Sequence, residues 1–186
     1  MFQLDIAALR AGKTTLADQT KSITLADLKS SATEMFDTLQ ALIADATDQA
    51  VLFVPKDPEA QSGDETGWTI GHVIAHVTAT LEEGCAIATQ LARSVEIADG
   101  LRLRYETPWE SFQTAAQVRA RLAESRRITL AFLDAWPDQP NLQQTCIRIP
   151  IFGPMNAISN CVLGIVHGQM HVQQITDTLN QASQHA

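Results

Sequence analysis

Leu25, Leu28, Ala32, Met35, Phe36, Leu39, Leu42, Ile43 and Ala46 repeat every three or four positions, which predicts a first helix over residues 22–50. Residues 51–55 read as a brief extended piece. Residues 56–67, with Pro58, Gly63 and Gly67, read as a loop. A second helix is expected to start at Trp68-Thr69, because the Thr69 hydroxyl can accept from a free first-turn amide and an apolar stripe follows at once. That stripe is Ile70, Val73, Ile74, Val77, Leu81, Ala88 and Leu91, and it ends near Arg93. Gly100, Pro108 and Trp109 mark a second loop. Thr114-Ala115-Ala116-Gln117 is a capping box that opens a third helix, with Val118, Leu122, Ile128, Leu130, Phe132, Leu133 and Trp136 inside it and Pro137 as its stop. A third connection spans 140–154, where the loose alternation of residues 146–151 predicts a short strand. The fourth helix is expected over 156–181, after Gly153-Pro154.

Four helices of this length predict an all-α fold, a four-helix bundle with long interhelical loops. The expected organisation is a short N-terminal arm, residues 1–21, with a short helix near residues 5–10, followed by one bundle domain over 22–186. The last helix carries a main stripe (Ile158, Cys161, Ile165, Val172, Ile175, Leu179) and a second one (Leu163, Val166, Met170). A helix apolar on two faces is either central or partly covered by a second copy, so a homodimer is expected.

The 186 residues include 45% hydrophobic and 18% charged side chains, enough apolar material for a core. A net charge of −8 and the lack of any long basic run argue against a nucleic-acid partner. No apolar run approaches the length of a membrane span, so no membrane partner is expected. The first residues, with Asp5 in the apolar stretch and no basic start, do not fit a signal peptide. Cys85, Cys146 and Cys161 are too few, and odd in number, for a disulfide framework. These features predict a cytoplasmic protein.

Candidate chemistry lies in the five histidines. His185 is terminal. The others form two i,i+4 pairs, His72/His76 and His167/His171, and that spacing puts two imidazoles on one helix face, where they can chelate one ion. His-x-x-x-His also occurs in zinc proteases, but Gly168-Gln169-Met170 between the second pair supplies no glutamate base. On a helical wheel His76 lies closer to the apolar stripe than His72, which falls three residues after the cap and reads as a first-turn residue near the surface. His167 and His171 both lie near apolar stripes of the last helix. Gly164 and Gly168 either leave room for an ion or substrate or allow close helix packing. Three neutral imidazoles with an open fourth position are the arrangement of a catalytic zinc, and also suit nickel, iron or copper.

Gly67-Trp68-Thr69-Ile70-Gly71-His72-Val73-Ile74-Ala75-His76 resembles the second-helix motif of the DinB-like (YfiT-like) superfamily, with a Trp-Thr start and a histidine eight residues after the Trp. His167-Gly168-Gln169-Met170-His171-Val172-Gln173-Gln174 resembles its fourth-helix motif. The resemblance implies His76, His167 and His171 as metal ligands and Gln174 as the motif glutamine, and an up-down-down-up bundle that is often a homodimer. Characterised members include S-transferases that use bacillithiol, mycothiol or glutathione, and a maleylpyruvate isomerase. The resemblance therefore implies a divalent metal, zinc or nickel, and a low-molecular-weight thiol as partner. His72 stands where the family often has an acid. The arm and the 140–154 segment can reshape the pocket mouth.

The functional expectation is a metal-dependent enzyme that activates a thiol or water at a three-histidine site, a thiol S-transferase or hydrolase of a small molecule. The alternative is a non-catalytic metal- or small-ligand-binding bundle, or a structural one. Gln174 and His72 are candidates to support the ligands. Glu83, on the same side of its helix as His76, is either such an acid or a surface residue. Cys85 and Cys161 read as buried core thiols, and Arg102, Arg104, Arg119, Arg121, Arg126 and Arg127 as mostly solvated charge, one or two of which could meet a substrate carboxylate. There is no nucleotide-binding fingerprint.

Overall fold

A computed structural model describes residues 2–56 and 67–185. Seven α-helices occur among them: α1 (Ile6–Arg10), α2 (Leu16–Gln19), α3 (Leu25–Leu42), α4 (Asp48–Leu52), α5 (Ile70–Ala92), α6 (Ala115–Asp134) and α7 (Ala157–Ser183). The four long ones form the bundle. Each starts at a polar side chain that accepts an otherwise unpaired amide: Thr24 for α3, Thr69 for α5, Thr114 for α6 and Asn156 for α7. The Thr114–Gln117 capping box forms as the sequence predicts, and Thr24–Asp27 forms another.

Cross-helix contacts fix the directions. Arg121 meets Glu82 and Thr89 Oγ1 donates to Phe132 O at 3.0 Å, so α5 and α6 run parallel. Lys29–Asp134, Arg126–Asp37 and Arg119–Ile43 pair rising with falling numbers, so α3 and α6 are antiparallel. Gly84 faces Asn160, Gly164 faces Leu81 and Gly168 faces Val77, so α5 and α7 are antiparallel. The result is the up-down-down-up order. Two successive parallel helices need a crossover, which is why residues 93–114 are long. Helix α5 is central, with 18 of its 23 residues buried. Its main neighbours are α7 and α6, and α3 packs against those two helices across the bundle.

Three local expectations are corrected. The first helix stops at Leu42 instead of reaching residue 50, and Thr47 caps a separate α4. Arg119 Nη1 donates to the carbonyls of Ile43, Ala44 and Ala46 and so satisfies the frayed end, while Ile43 stays buried and Ala46 packs on the core. The apolar period thus runs through a break in the backbone. Val51 and Leu52, expected to be extended, form the end of α4. No strand forms at residues 146–151. Cys146 and Met155 make one antiparallel bridge (3.1 and 2.9 Å), and Pro150, which has no amide to donate, starts a 3-10 turn, Pro150–Phe152. Most of the loop expected at 56–67 lies outside the described residues.

The arm holds the short helix expected near residues 5–10, capped by Asp5, and also α2. Leu9 and Leu16 pack with Met155 and Leu163. The arm therefore covers Leu163 of the second stripe on α7, and Val166 packs on the main core. Of that stripe Met170 is the exposed residue, at 66%.

Candidate metal centre

Helix α5 presents His76 one turn beyond its first turn, and antiparallel α7 presents His167 and His171 opposite it. His76 Nε2 and His171 Nε2 each lie 3.2 Å from His167 Nε2. One ligand atom from each of the three residues falls within a 4.8 Å cluster. The rings meet edge to face, with centroids 4.7 to 5.6 Å apart.

The outer nitrogens decide what the inner ones offer. His76 Nδ1 lies 2.5 Å from Glu106 Oε1, and a carboxylate only accepts, so Nδ1 carries the proton. His171 Nδ1 lies 2.7 Å from Gln174 Oε1, an amide oxygen that accepts, and so is the donor in that pair. In the neutral rings both Nε2 atoms are then lone pairs aimed at His167 Nε2. His167 is pushed down to about 3 from 6.5, first by burial, then by His171, His76 and Arg148, so it is neutral at physiological pH. Its Nδ1 is buried with no hydrogen-bond partner among the described residues.

This donor set fits a divalent ion. Metal–nitrogen bonds of 2.0–2.1 Å at tetrahedral angles separate ligand nitrogens by about 3.3 Å, against 3.2 Å for the two contacts here. Hydrogen bonds on the outer nitrogens of His76 and His171 also match the way metal-bound imidazoles are normally held.

His72 stays out of this cluster. Its ring is half-buried between Trp68 (4.1 Å, 22° between planes) and Trp109 (4.7 Å, 11°), and its backbone amide donates to the Thr69 hydroxyl at 3.2 Å. Burial lowers its pKa, with Glu106 opposing.

Glu83 is neither a surface residue nor an acid beside the histidines. It is buried, accepts from Arg102 Nε (3.1 Å) and Leu103 N (3.0 Å), and pairs with Arg148 Nη2 (3.3 Å). Its neighbour Glu82 is fully buried and pairs with Arg121 and Arg104. Arg121, expected to be solvated, is therefore drawn inward, its side chain 11% exposed.

The open question about the glycines is settled by what faces them. A Cβ on Gly164 would stand 2.9 Å from Leu81 Cα, and one on Gly168 would stand 2.4 Å from Met35 Sδ and 3.3 Å from Val77 Cγ1. They are close-packing positions, not space for a ligand. Cys85 and Cys161 are core thiols, and burial with the Cys85 contact pushes Cys161 well above its ordinary pKa.

Glu106 is the residue that sequence reasoning missed. The alternation Leu101-Arg102-Leu103-Arg104-Tyr105-Glu106 signals an extended segment, but it is the charged residues of the alternation, partly exposed themselves, that reach α5.

No curated protein and no solved structure matches the chain. A family model described as the DinB superfamily matches residues 31–175. That match spans more than half of the sequence and all three clustered histidines, and with the helical bundle it establishes that the chain belongs to the DinB superfamily.

Proposed function

We propose that the protein is a metal-dependent enzyme that activates a thiol or a water molecule at its three-histidine face, for S-transfer to a small molecule or for its hydrolysis. The observation that carries this is the convergence of three imidazoles, with His76 Nε2 and His171 Nε2 each 3.2 Å from His167 Nε2 and one ligand atom from each of the three inside a 4.8 Å cluster. His76, His167 and His171 would hold the ion, zinc or nickel, leaving one side for an exogenous ligand. A divalent ion there supplies Lewis acidity, which brings the pKa of a thiol or water toward neutral.

The chain's own groups have separate tasks. Glu106 and Gln174 fix two imidazoles with the donor nitrogen outward. His167 is kept neutral by burial, which preserves its lone pair at physiological pH. Trp68 and Trp109 sandwich the His72 ring beside the cluster, and Trp68 also covers one edge of His76. Edge-on contact of Trp68 with the His76 ring, 5.0 Å between centroids, limits how far that imidazole can turn.

The test is metal content by elemental analysis of untagged protein, for wild type and for His76→Ala, His171→Ala and His72→Ala. About one ion per chain, lost in the first two variants and kept in the third, supports the proposal. A screen of low-molecular-weight thiols with electrophiles and esters would then seek the reaction. A wild type that takes up neither zinc nor nickel overturns it.

A further inference from the structure

Residues 101–106 run extended alongside α5 with an inverted pattern. Leu101, Leu103 and Tyr105 face solvent, Tyr105 at 75% exposure. The alternate residues face α5: Arg102 meets Glu83, Arg104 meets Glu82, and Glu106 meets His76. The register is geometrically consistent. Four extended residues cover about 13 Å, and seven helical residues from His76 to Glu83 cover about 10 Å. Just beyond, Trp109 stacks on His72. The segment is thus fastened at its first part by ion pairs and at its last part by the two histidines of α5. Its apolar residues are not core residues, since Leu101, Leu103 and Tyr105 are all exposed.

We infer that residues 101–112 are a strap whose closure over α5 is thermodynamically linked to metal binding, with Glu106 as the positioning residue that joins the two. This rests on the metal reading of the three-histidine face. The link is the His76 ring. A cation at Nε2 withdraws electron density from the imidazole, makes Nδ1–H a better donor and strengthens its bond to the Glu106 carboxylate. Whatever factor metal adds to strap closure, closure adds to metal affinity, because the coupling between two binding events is reciprocal. Glu106 touches neither thiol nor substrate in this scheme. It acts through His76.

Two measurements on the full-length protein test the inference, each with zinc-loaded and zinc-stripped samples. The first is zinc affinity by competition with a chromophoric chelator, for wild type, Glu106→Gln, Glu106→Ala and the control Glu110→Gln, which lies on the same strap with no contact to His76. Glu106→Ala is expected to weaken zinc about 10–100-fold. Glu106→Gln, which keeps an acceptor without the charge, should fall between, and Glu110→Gln should match wild type. Urea midpoints of the stripped variants separate this from a general loss of stability. The second is tryptic cleavage after Arg102 and Arg104, followed by mass spectrometry. Zinc should slow cleavage in wild type but not in Glu106→Ala, and stripped Glu106→Ala should be cut faster than stripped wild type.

A wild type that binds no zinc defeats the metal reading and the linkage with it. A wild type that binds zinc while Glu106→Ala binds it within twofold overturns the linkage alone. Equal cleavage of stripped wild type and stripped Glu106→Ala overturns the strap, whatever the metal result.

Discussion

Gly164→Ala sets two opposed effects against each other on the helix pair that carries the histidines. An alanine in a helix interior is favoured over glycine by about 1 kcal/mol, so without tertiary contacts the substitution would stabilise. At Gly164 the new Cβ would stand 2.9 Å from both Leu81 Cα and Leu81 Cδ1. The side chain can turn, but the Cα moves only with α5. Restoring ordinary carbon contact of about 3.5–4.0 Å requires α5 and α7 to part by roughly 0.6–1 Å. Overpacking of this kind costs about 1–3 kcal/mol, so the net expectation is a loss of about 0–2 kcal/mol. Gly168→Ala is the internal comparison. Its Cβ would meet Met35 Sδ at 2.4 Å, a flexible thioether, with Val77 Cγ1 at 3.3 Å. Met35 can repack, so this variant should fall within about 1 kcal/mol of wild type on either side. Urea unfolding of the metal-stripped proteins measures both, and with m about 1–3 kcal/mol/M a 1.5 kcal/mol loss lowers the midpoint by about 0.5–1.5 M. Separating the helices also moves His76, five residues before Leu81, away from His167, three residues after Gly164. Zinc affinity should therefore fall more in Gly164→Ala than in Gly168→Ala. A Gly164→Ala protein more stable than wild type, or a Gly168→Ala protein destabilised by well over about 1 kcal/mol, would refute the backbone-contact argument.

Glu83→Ala leaves the Arg148 guanidinium, whose side chain is 5% exposed, without its carboxylate, and should cost about 3–5 kcal/mol by urea unfolding. Adding Arg148→Met removes the stranded charge, so the double variant should recover part of that loss, and a strictly additive double variant would contradict the pairing. Acid should weaken the metal-stripped protein through His167. Its folded pKa of about 3 lies below the unfolded 6.5, so its contribution is full above about pH 6.5. Below that the unfolded chain takes up the proton first, and stability falls by about 1.4 kcal/mol per pH unit towards pH 3. Urea midpoints of wild type and His167→Gln at pH 7, 5.5 and 4.5 check this, and parallel midpoints for the two proteins would exclude it. Thr114→Ala removes the capping hydroxyl of α6 and should cost about 1 kcal/mol, read from the same unfolding curves.

The parts of this structure that were legible in the sequence are those decided within one helical turn. Thr69 and Thr114 announce α5 and α6 because a cap needs only a hydroxyl and the amides that follow it. His76, His167 and His171 could be singled out because spacing of four and distance from an apolar stripe are both local, although their meeting at 3.2 Å needs the whole bundle. The break after Leu42 was hidden because Ile43 and Ala46 keep the apolar phase while Arg119, 76 residues on from Ile43, takes over the carbonyls. The fate of Glu82 and Glu83 was hidden in the same way. Their partners Arg104, Arg121 and Arg148 come from the two loops and from α6, and no local pattern distinguishes such arginines from solvated ones.

The same long-range contacts explain why the site can be built on α5 and α7 at all. Imidazoles from two helices converge at 3.2 Å only if the helices approach closely, and Gly84, Gly164 and Gly168 lie along the contact where Asn160, Leu81, Val77 and Met35 come against them. Close approach alone would leave the open side of α5 bearing two buried carboxylates and a half-buried histidine. The arginines and the glutamate that answer them lie largely in the connections, which is where a bundle can add residues without disturbing helix packing. The long crossover between parallel α5 and α6 therefore has two consequences. It satisfies the topology, and it supplies Arg102, Arg104, Glu106 and Trp109 to the face of α5 that carries His72 and His76.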